Sequence, residues 1–361
     1  WEKFLMGKVK PSVARRMGEV TIRAGHVPIF LGKPGEGKTA IMNELTKIFA
    51  CGREIVKGNT SPRDDQFGDI DFRLSLYESP DLGGAPVPVE QDDGTYVQRR
   101  AFLENLPVSG SGMLKLDEYP QAEPDVMSIA AQLVYERRLG DYKVPDGWKI
   151  MCAGNKPGHR AGASKLTTNF MSRVNRIDFT CDTNEWLEWA VEHDVNPDIM
   201  GFISFQPELL SVFDPKVVDP QPNPRSWERF SDTLNVNPDS DLIAHLAESS
   251  TGEVAATEFC TFISLKDNVP DLSKIVAGEE IEMPVEPGMM YATIVALITV
   301  IRESSDLKVR EHFENSLAFI ENFPTPEYSI FFVRSIVKSI PDLRNTSAFG
   351  SFKERNQELE V

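Results

Sequence analysis

Eight consecutive residues near the start of the chain have the spacing of a phosphate-binding loop. Residues 32–39 read GKPGEGKT, which fits the pattern G-x-x-x-x-G-K-[ST]. In this pattern the glycines let successive backbone N–H groups point at one centre, where a phosphate binds. We expect the Lys38 amine to reach the β- and γ-phosphates and the Thr39 hydroxyl to hold Mg²⁺. The stretch therefore predicts a nucleotide site.

The segments on either side of the loop agree with this prediction. Residues 27–31 form a short apolar run typical of a strand, and apolar residues follow at helical spacing, at 41, 45, 48 and 49. Lys38 and Thr39 would then lie at a helix N-terminus, where the dipole and the free N–H groups favour an anion. The alternative, a glycine-rich turn without a ligand, requires neither the strand nor the helix.

Two adjacent carboxylates follow a second apolar stretch. Asp117 and Glu118 come directly after residues 113–116, which have the composition of a central parallel strand. Open α/β sheets place their sites at the carboxyl ends of such strands. In a P-loop protein an Asp at this position is expected to be the second holder of Mg²⁺, and a neighbouring acid can deprotonate a water. The alternative is a pair of exposed acids in a turn.

Two other polar residues occupy positions from which they could act on the nucleotide or on the attacking water. Asn155 follows the predicted strand 148–153 and could position an attacking water, although a lone Asn more often forms a turn. Arg225 falls in the first turn of a helix that Asn223 can cap, where the helix dipole disfavours a cation. An Arg in that position indicates an outside partner such as a phosphate, and the alternative is a solvated side chain.

The composition limits the classes of partner. The chain has 361 residues, with 38 Lys and Arg against 55 Asp and Glu, which gives a formal net charge of −17. Such a surface repels nucleic acid and anionic membranes as a whole, although a local basic channel stays compatible with it.

The four cysteines lack metal-ligand spacing, which predicts buried thiols in a reducing compartment. The longest apolar run, residues 289–301, is too short to span a bilayer and predicts a buried helix. With no signal peptide recognised, we expect a cytoplasmic protein without membrane insertion.

The order of these motifs resembles that of the AAA+ ATPases, and most of all the MoxR-type group of the helix-2-insert clade. The resemblance rests on the combination of motifs and covers roughly residues 25–300. The phrase RLGDYKVPDGWKI at 138–150 is similar to the hairpin before the fourth core strand of that group, and DLGGAP at 81–86 to the start of its insertion. The other matching motifs are GKPGEGKT at 32–39, LKLDE at 114–118, AGN at 153–155, Arg173, and NPRSW at 223–227.

The resemblance implies a role for each site residue. Asp117 would hold Mg²⁺ together with Thr39, and Glu118 would act as the base for water. Asn155 matches the residue called sensor 1, and Arg225 matches sensor 2. The residues expected to bind ATP are Gly32, Lys33, Pro34, Gly35, Glu36, Gly37, Lys38, Thr39 and Ala40.

Arg173 matches the arginine finger that members of the family give to a neighbouring subunit. The family usually shows Asn-Arg-Phe or Asp-Arg-Phe there, whereas this chain has Ser172-Arg173-Val174. Because of this departure, Arg176 and Arg160 are rival candidates for the same role.

The implied fold class is α/β. It combines an AAA+ P-loop NTPase core, a parallel five-stranded sheet flanked by helices, with a helical lid domain and a helical C-terminal extension. We expect the core over residues 1–212, with the helix-2 insertion at about 70–108, the lid over 213–303 and the extension over 304–361.

The implied function is hydrolysis of ATP, with Mg²⁺, at the subunit interfaces of a homo-oligomeric ring that is usually a hexamer. Members of the group commonly remodel or chaperone a protein client, often with a partner that has a von Willebrand factor A domain. Two alternatives stay open. The first is a motor on nucleic acid, with Arg99 and Arg100 lining a basic pore, which the net charge disfavours. The second is a scaffold that uses ATP only to assemble, which the pair Asp117-Glu118 disfavours.

Overall fold

A computed structural model describes residues 7–156 and 166–356 of the chain. Its contacts divide the chain into two compact units. The first, which we call the α/β unit, comprises Trp1–Asp182 and Asp214–Val218. The second, which we call the helical unit, comprises Thr183–Phe213 and Asp219–Val361. The predicted division into core, lid and extension at residues 212 and 303 stays a prediction.

The described part of the α/β unit contains both helices and strands. Its helices are α1 (Pro11–Arg23), α2 (Lys38–Ala50), α3 (Ser79–Gly83), α4 (Pro124–Glu136) and α5 (Thr168–Met171). Its strands are β1 (Pro28–Gly32), β2 (Glu54–Lys57), β3 (Gln66–Arg73), β4 (Ala85–Glu90), β5 (Tyr96–Ala101), β6 (Ser111–Asp117), β7 (Arg138–Leu139), β8 (Tyr142–Lys143), β9 (Gly147–Asn155) and β10 (Asn175–Asp178).

Six of these strands form one parallel sheet in the order β10-β1-β9-β6-β3-β2. Gly32 at the end of β1 pairs with Asn155 of β9, and Leu116 of β6 pairs with Cys152 of β9. The carboxyl ends of these three central strands therefore meet at one edge of the sheet, where ligands of open α/β sheets bind. The predicted class, a parallel sheet flanked by helices with a helical C-terminal part, is confirmed.

The strand β3 was not predicted, and it raises the number of strands in the sheet from the expected five to six. It lies between β2 and β6, within residues 58–111, whose richness in Gly, Pro, Asp and Ser predicts irregular structure. Gly68, Asp69 and Asp71 interrupt its apolar pattern, although five of its eight residues are buried in succession. Residues 70–73 of the expected insertion thus belong to the parallel sheet.

Two antiparallel hairpins lie outside this sheet, β4 with β5 and β7 with β8. The alternation of residues 95–98 predicts one strand of the first hairpin, and the phrase at 138–150 predicts the second hairpin by its resemblance. Every residue of β4 and β5 is exposed. This hairpin therefore contributes no buried residue to the core of the unit.

Apolar side chains pack on both faces of the parallel sheet. On one face, Phe30 and Met113 belong to a buried cluster with Leu45 of α2. On the other, Leu114 belongs to a second cluster with Ala130 of α4. Full burial of one such large side chain contributes roughly 1.5–3 kcal/mol. These clusters hold α2 and α4 against the strands whose ends form the site.

The helical unit consists of helices and short connections in the part that the structure describes. The sequence between Pro and Gly breaks predicts helices at 226–235, 241–248, 253–265, 289–303, 307–321 and 326–339, and a helix is present at each, whereas the helices at 272–276 and 347–355 are not predicted. The helices of this unit are α6 (Thr183–Glu192), α7 (Pro197–Phe205), α8 (Pro224–Asn235), α9 (Ile243–Thr251), α10 (Glu253–Ser264), α11 (Leu272–Val276), α12 (Pro287–Arg302), α13 (Val309–Ile320), α14 (Pro326–Ser339) and α15 (Ser347–Arg355).

The apolar run at 289–301 lies in α12, which is largely buried as predicted. Across residues 7–156 and 166–356, none of the helices is both long and apolar enough to cross a bilayer.

The expectation of buried thiols is wrong for Cys51, which is exposed, whereas Cys152 is buried. Cys51 ends α2 with a left-handed backbone (φ 50°), so this position is set by the end of the helix rather than by the core.

Candidate functional site

The loop between β1 and α2 has the backbone conformation that a phosphate-binding loop requires. Gly35 and Gly37 have φ values of 76° and 93°, which side chains other than hydrogen rarely permit. Directly after Gly37, α2 begins at Lys38. The first N–H groups of a helix have no acceptor within the helix and favour an anion. All the predicted ATP-binding residues, Gly32 to Ala40, thus lie on the end of β1, this loop and the first turn of α2.

Glu36 stabilises the loop from inside. Its side chain is buried, and one carboxylate oxygen accepts the Lys33 N–H at 2.9 Å. The other oxygen accepts the Thr180 hydroxyl at 3.1 Å. Because these bonds tie the loop to the segment after β10, they fix the curvature that the glycines permit. The Glu36 carboxylate is therefore engaged in shaping the loop.

Lys38 connects the loop to the end of β9. Its ammonium donates to the Asn155 side-chain oxygen at 2.7 Å and to the Lys33 carbonyl at 2.7 Å. Asn155 ends the strand next to β1 in the sheet. The structure therefore brings together two predicted site residues that are 117 positions apart in the chain.

Thr39 and Asp117 meet at the same edge of the sheet. The Thr39 hydroxyl donates to Asp117 Oδ2 at 3.3 Å, and the other Asp117 oxygen accepts the Glu118 N–H at 2.8 Å. Magnesium prefers hard oxygen ligands and is usually bound through one or two protein groups with phosphates and waters. These two oxygens fit such an ion, and no cluster of three or more His, Cys, Asp or Glu side chains suited to a metal occurs in the described ranges.

Glu118 has a backbone conformation that is uncommon for its residue type. Its φ is 55°, in the left-handed region where non-glycine residues need support from their surroundings. The Ser75 hydroxyl donates a hydrogen bond to Glu118 Oε2. Ser75 follows β3, the strand next to β6. The carboxylate of the predicted base is thus held by a residue that we did not predict.

A buried polar network lies next to the site and connects β3, β6 and α2. The Lys115 ammonium lies 2.7 Å from Asp69 on β3 and donates to the Asn43 side chain of α2 at 2.8 Å. Asp71 lies on the same strand as Asp69. Burial raises the pKa of Asp71, and the nearby Asp117 carboxylate raises it further. The sequence feature that could have predicted this network is the alternation of acidic residues at 69 and 71 with apolar residues at 70 and 72.

The three candidates for the arginine finger differ in their surroundings. Arg176 makes two hydrogen bonds to the Asp178 carboxylate, at 2.9 and 2.8 Å. Although burial acts to raise the pKa of Asp178, hydrogen bonds from Arg176 and Lys156 lower it. The exposed Arg173 guanidinium lies 4.0 Å from the centre of the Tyr135 ring. Arg160 lies outside the described residues.

Arg225 belongs to the helical unit. It is exposed in the first turn of α8, as predicted. The predicted cap is present as a capping box, in which the Asn223 side chain accepts the Ser226 N–H and the Ser226 hydroxyl accepts the Asn223 N–H. The geometry of the α/β unit therefore joins Lys38, Thr39, Asp117, Glu118 and Asn155, while Arg225 stays a predicted member of the site.

The comparisons with known proteins give distant likenesses. No family model matches the chain. The solved structure of NtrX from Brucella abortus is 13% identical, with 97% of this chain and 69% of that chain covered and a TM-score of 0.38. NtrX in complex with ADP is 13% identical, with 100% and 70% covered and a TM-score of 0.38. A mutant of Thermotoga maritima RuvB is 13% identical, with 80% and 79% covered and a TM-score of 0.31. These identities and TM-scores are too low to support a function, so the function proposed below rests on the residues of this chain alone.

Proposed function

We propose that the protein is an ATPase of the AAA+ type, with ATP bound by residues 32–40. The observation that carries this proposal is the contact between the Thr39 hydroxyl and Asp117 Oδ2 at 3.3 Å. It places two hard oxygen ligands beside a loop with the backbone of a phosphate site. Phosphoryl transfer needs positioning and neutralisation of charge rather than covalent chemistry, and this edge of the sheet supplies residues for both.

Each residue of the site then has a distinct task. Thr39 and Asp117 would hold Mg²⁺, which neutralises charge on the phosphate oxygens when bound. The Lys38 ammonium exchanges its contacts with Asn155 and the Lys33 carbonyl for phosphate oxygens. Glu118 accepts a proton from the attacking water, and Asn155 orients that water once Lys38 has moved to the phosphates.

The site would be completed by a second copy of the chain. An Arg supplied by a neighbour raises the rate of hydrolysis about 10³–10⁵-fold in P-loop enzymes. We favour Arg173 over Arg176 for this task, because Arg176 is already bound to Asp178 through two hydrogen bonds. Arg173 is exposed and its guanidinium lies on the face of the Tyr135 ring. A phosphate of a neighbouring subunit's ATP would bind this guanidinium more strongly than the ring does.

The finer parts of the proposal follow from the resemblance to the MoxR-type group. We propose a homo-oligomeric ring, a hexamer, that remodels or chaperones a protein client in the cytoplasm, with Arg225 as the sensor of the nucleotide. A partner with a von Willebrand factor A domain belongs to the same proposal. The exposed hairpin β4–β5 is the element of the α/β unit best placed to reach a client without loss of the core.

A motor on nucleic acid is the second candidate, and a specific contact weakens it. The Arg100 guanidinium donates to the Gly83 carbonyl at 2.8 Å, so it stabilises the base of the hairpin and is not free to line a pore. Arg99 alone would then oppose a chain charge of −17. A scaffold without turnover is the third candidate, and it has no need of a supported carboxylate at Glu118.

The variant Glu118→Gln tests the proposed reaction. It keeps the hydrogen-bonding shape of the side chain but cannot accept a proton, so we expect ATP binding within about threefold of the wild-type chain and turnover reduced by about 10²–10⁴. Binding is measured with a fluorescent ATP analogue, and turnover by phosphate release with Mg²⁺ present.

The matched control is Glu104→Gln, which changes an exposed carboxylate outside the site and should leave both quantities unchanged. Turnover of Glu118→Gln at the wild-type rate would remove Glu118 as the base. Absence of turnover in the wild-type chain at every protein concentration would favour the scaffold.

A further inference from the structure

The helical unit contains a half-open groove that the proposed ATPase does not use. Its volume is about 640 Å³, within the range of about 300–1,000 Å³ that is typical of binding pockets. The irregular segment after α11 forms one side, and α13 forms the other. The apolar part of the lining includes Ile275, Ile281, Met283, Ala318 and Phe319.

The rim of this groove is acidic. Glu279, Glu280 and Glu282 line it and are exposed. Within the described ranges, none of these three carboxylates forms an ion pair with a Lys, Arg or His side chain. Uncompensated charges of one sign at the edge of a concave surface raise the local concentration of cations. The groove therefore combines an apolar floor with a negative edge.

The backbone of this segment is also available for pairing. Residues 280–285 belong to neither a helix nor a strand, and their backbone groups make no hydrogen bond to another described residue. Unpaired N–H and C=O groups next to side-chain pockets are the features by which extended peptides are recognised. Val285 of the same segment does not line the groove and is 86% exposed, so apolar surface continues outside the groove.

We propose that this groove binds an extended segment of a partner protein in which Lys or Arg side chains alternate with apolar ones. The apolar side chains occupy the floor beside Phe319, and the cations lie opposite the three rim carboxylates. The peptide backbone pairs with the unpaired backbone groups of residues 280–285, among which Pro284 offers only its carbonyl. This binding site is separate from the proposed ATP site and does not depend on its assignment.

A defined peptide tests the proposal on the full chain. The probe is a fluorescein-labelled decapeptide in which Lys alternates with Leu, and its binding is followed by fluorescence anisotropy. We expect saturable binding that weakens at least about tenfold in the variant Glu279→Gln/Glu280→Gln/Glu282→Gln, because rim charges steer and hold the cations. Ala318→Arg, on an exposed position of α13, should weaken it by a similar factor. Methylation of alternate peptide nitrogens should also weaken it, since it removes donors for the backbone pairing.

The controls separate the groove from general attraction to an acidic protein. Asp239→Asn/Asp306→Asn/Asp342→Asn changes the net charge equally at exposed residues that do not line the groove, and it should leave the affinity unchanged. Peptides with Glu in place of Lys, or Ser in place of Leu, should bind at least about tenfold more weakly. The proposal is overturned by equal losses in the two triple variants or by no saturable binding. It is also overturned if sedimentation shows that Ala318→Arg only breaks contacts between copies of the chain.

Discussion

Lys115 is a charged residue in the interior of the sheet, two positions before the proposed metal carboxylate. Its side chain is only 2% exposed, and that of its partner Asp69 is 8% exposed. Leaving water costs each ion several kcal/mol, and the pair is tolerated because its members lie 2.7 Å apart and Asn43 accepts a further hydrogen bond. The arrangement places a fixed cation on β6, directly opposite Asp71 of β3 and two residues before Asp117.

At the residue scale, Lys115→Met should destabilise the α/β unit. The change leaves the Asp69 carboxylate buried without its cation, a defect that typically costs about 3–5 kcal/mol. The amides of β3 and β6 should then exchange with solvent deuterium markedly faster, as measured by mass spectrometry, while those of the helical unit keep their rates.

The double variant Lys115→Met/Asp69→Leu is the control. Replacement of a buried ion pair by apolar groups of similar volume is often neutral or stabilising, so most of the lost protection should return. If the double variant is as unprotected as the single one, the pair matters through packing and not through charge.

Two kinds of site residue could be predicted from the sequence: those that lie within one short motif, and those that directly follow a recognisable apolar strand. The loop at 32–39 carries its spacing in consecutive residues, and Asp117 follows an apolar run. Ser75, Asp71 and Asn43 were missed because their role depends on which strand lies beside β6 and which helix covers it. No short pattern in the chain contains that information.

At the element scale, β3 is held against its neighbours by close packing under one indole ring. A Cβ on Gly68 would lie 2.3 Å from the Trp148 ring, and one on Gly112 of β6 would lie 2.5 Å from the same ring. The indole N–H of Trp148 donates to the Ser109 carbonyl at 2.9 Å, which fixes the position of the ring. Two adjacent strands thus require glycine where the ring crosses them.

Gly68→Ala should therefore lower the stability of the α/β unit by about 1–3 kcal/mol, the usual cost of overpacking a filled core. Differential scanning calorimetry should show a lower temperature for the transition that includes β3. Gly350→Ala is the matched control: a Cβ there meets nothing within 4 Å, it lies inside α15, and Ala should stabilise that helix by roughly 0.5–1 kcal/mol. Equal effects of the two changes would contradict the packing role of Gly68.

The same packing explains which strands the sequence could predict. The strands β1, β6 and β9 have apolar residues in succession, as expected for a parallel sheet covered on both faces. In β3 the residue under the indole must be glycine and the acids at 69 and 71 face Lys115 and the site. Its pattern therefore lacks the apolar succession from which β1, β6 and β9 are predicted.

At the scale of the whole molecule, the proposal depends on assembly. The net charge of −17 favours separation of copies, so binding between them must rest on specific contacts that offset this repulsion. An arginine contributed from one copy to the ATP site of another supplies such a contact only when the nucleotide is present. Hydrolysis per chain should then rise with protein concentration as rings form.

The central claim, hydrolysis at the interface between subunits, is tested most directly by mixing two inactive variants and measuring phosphate release. Glu118→Gln retains the finger but lacks the base, and Arg173→Ala retains the base but lacks the finger. Each alone should turn over at least about 10²-fold more slowly than the wild-type chain. An equimolar mixture should recover a substantial fraction of the wild-type rate, because mixed rings contain interfaces with both intact groups. No recovery in a mixture that binds ATP and assembles, or full activity of Arg173→Ala alone, would contradict the claim.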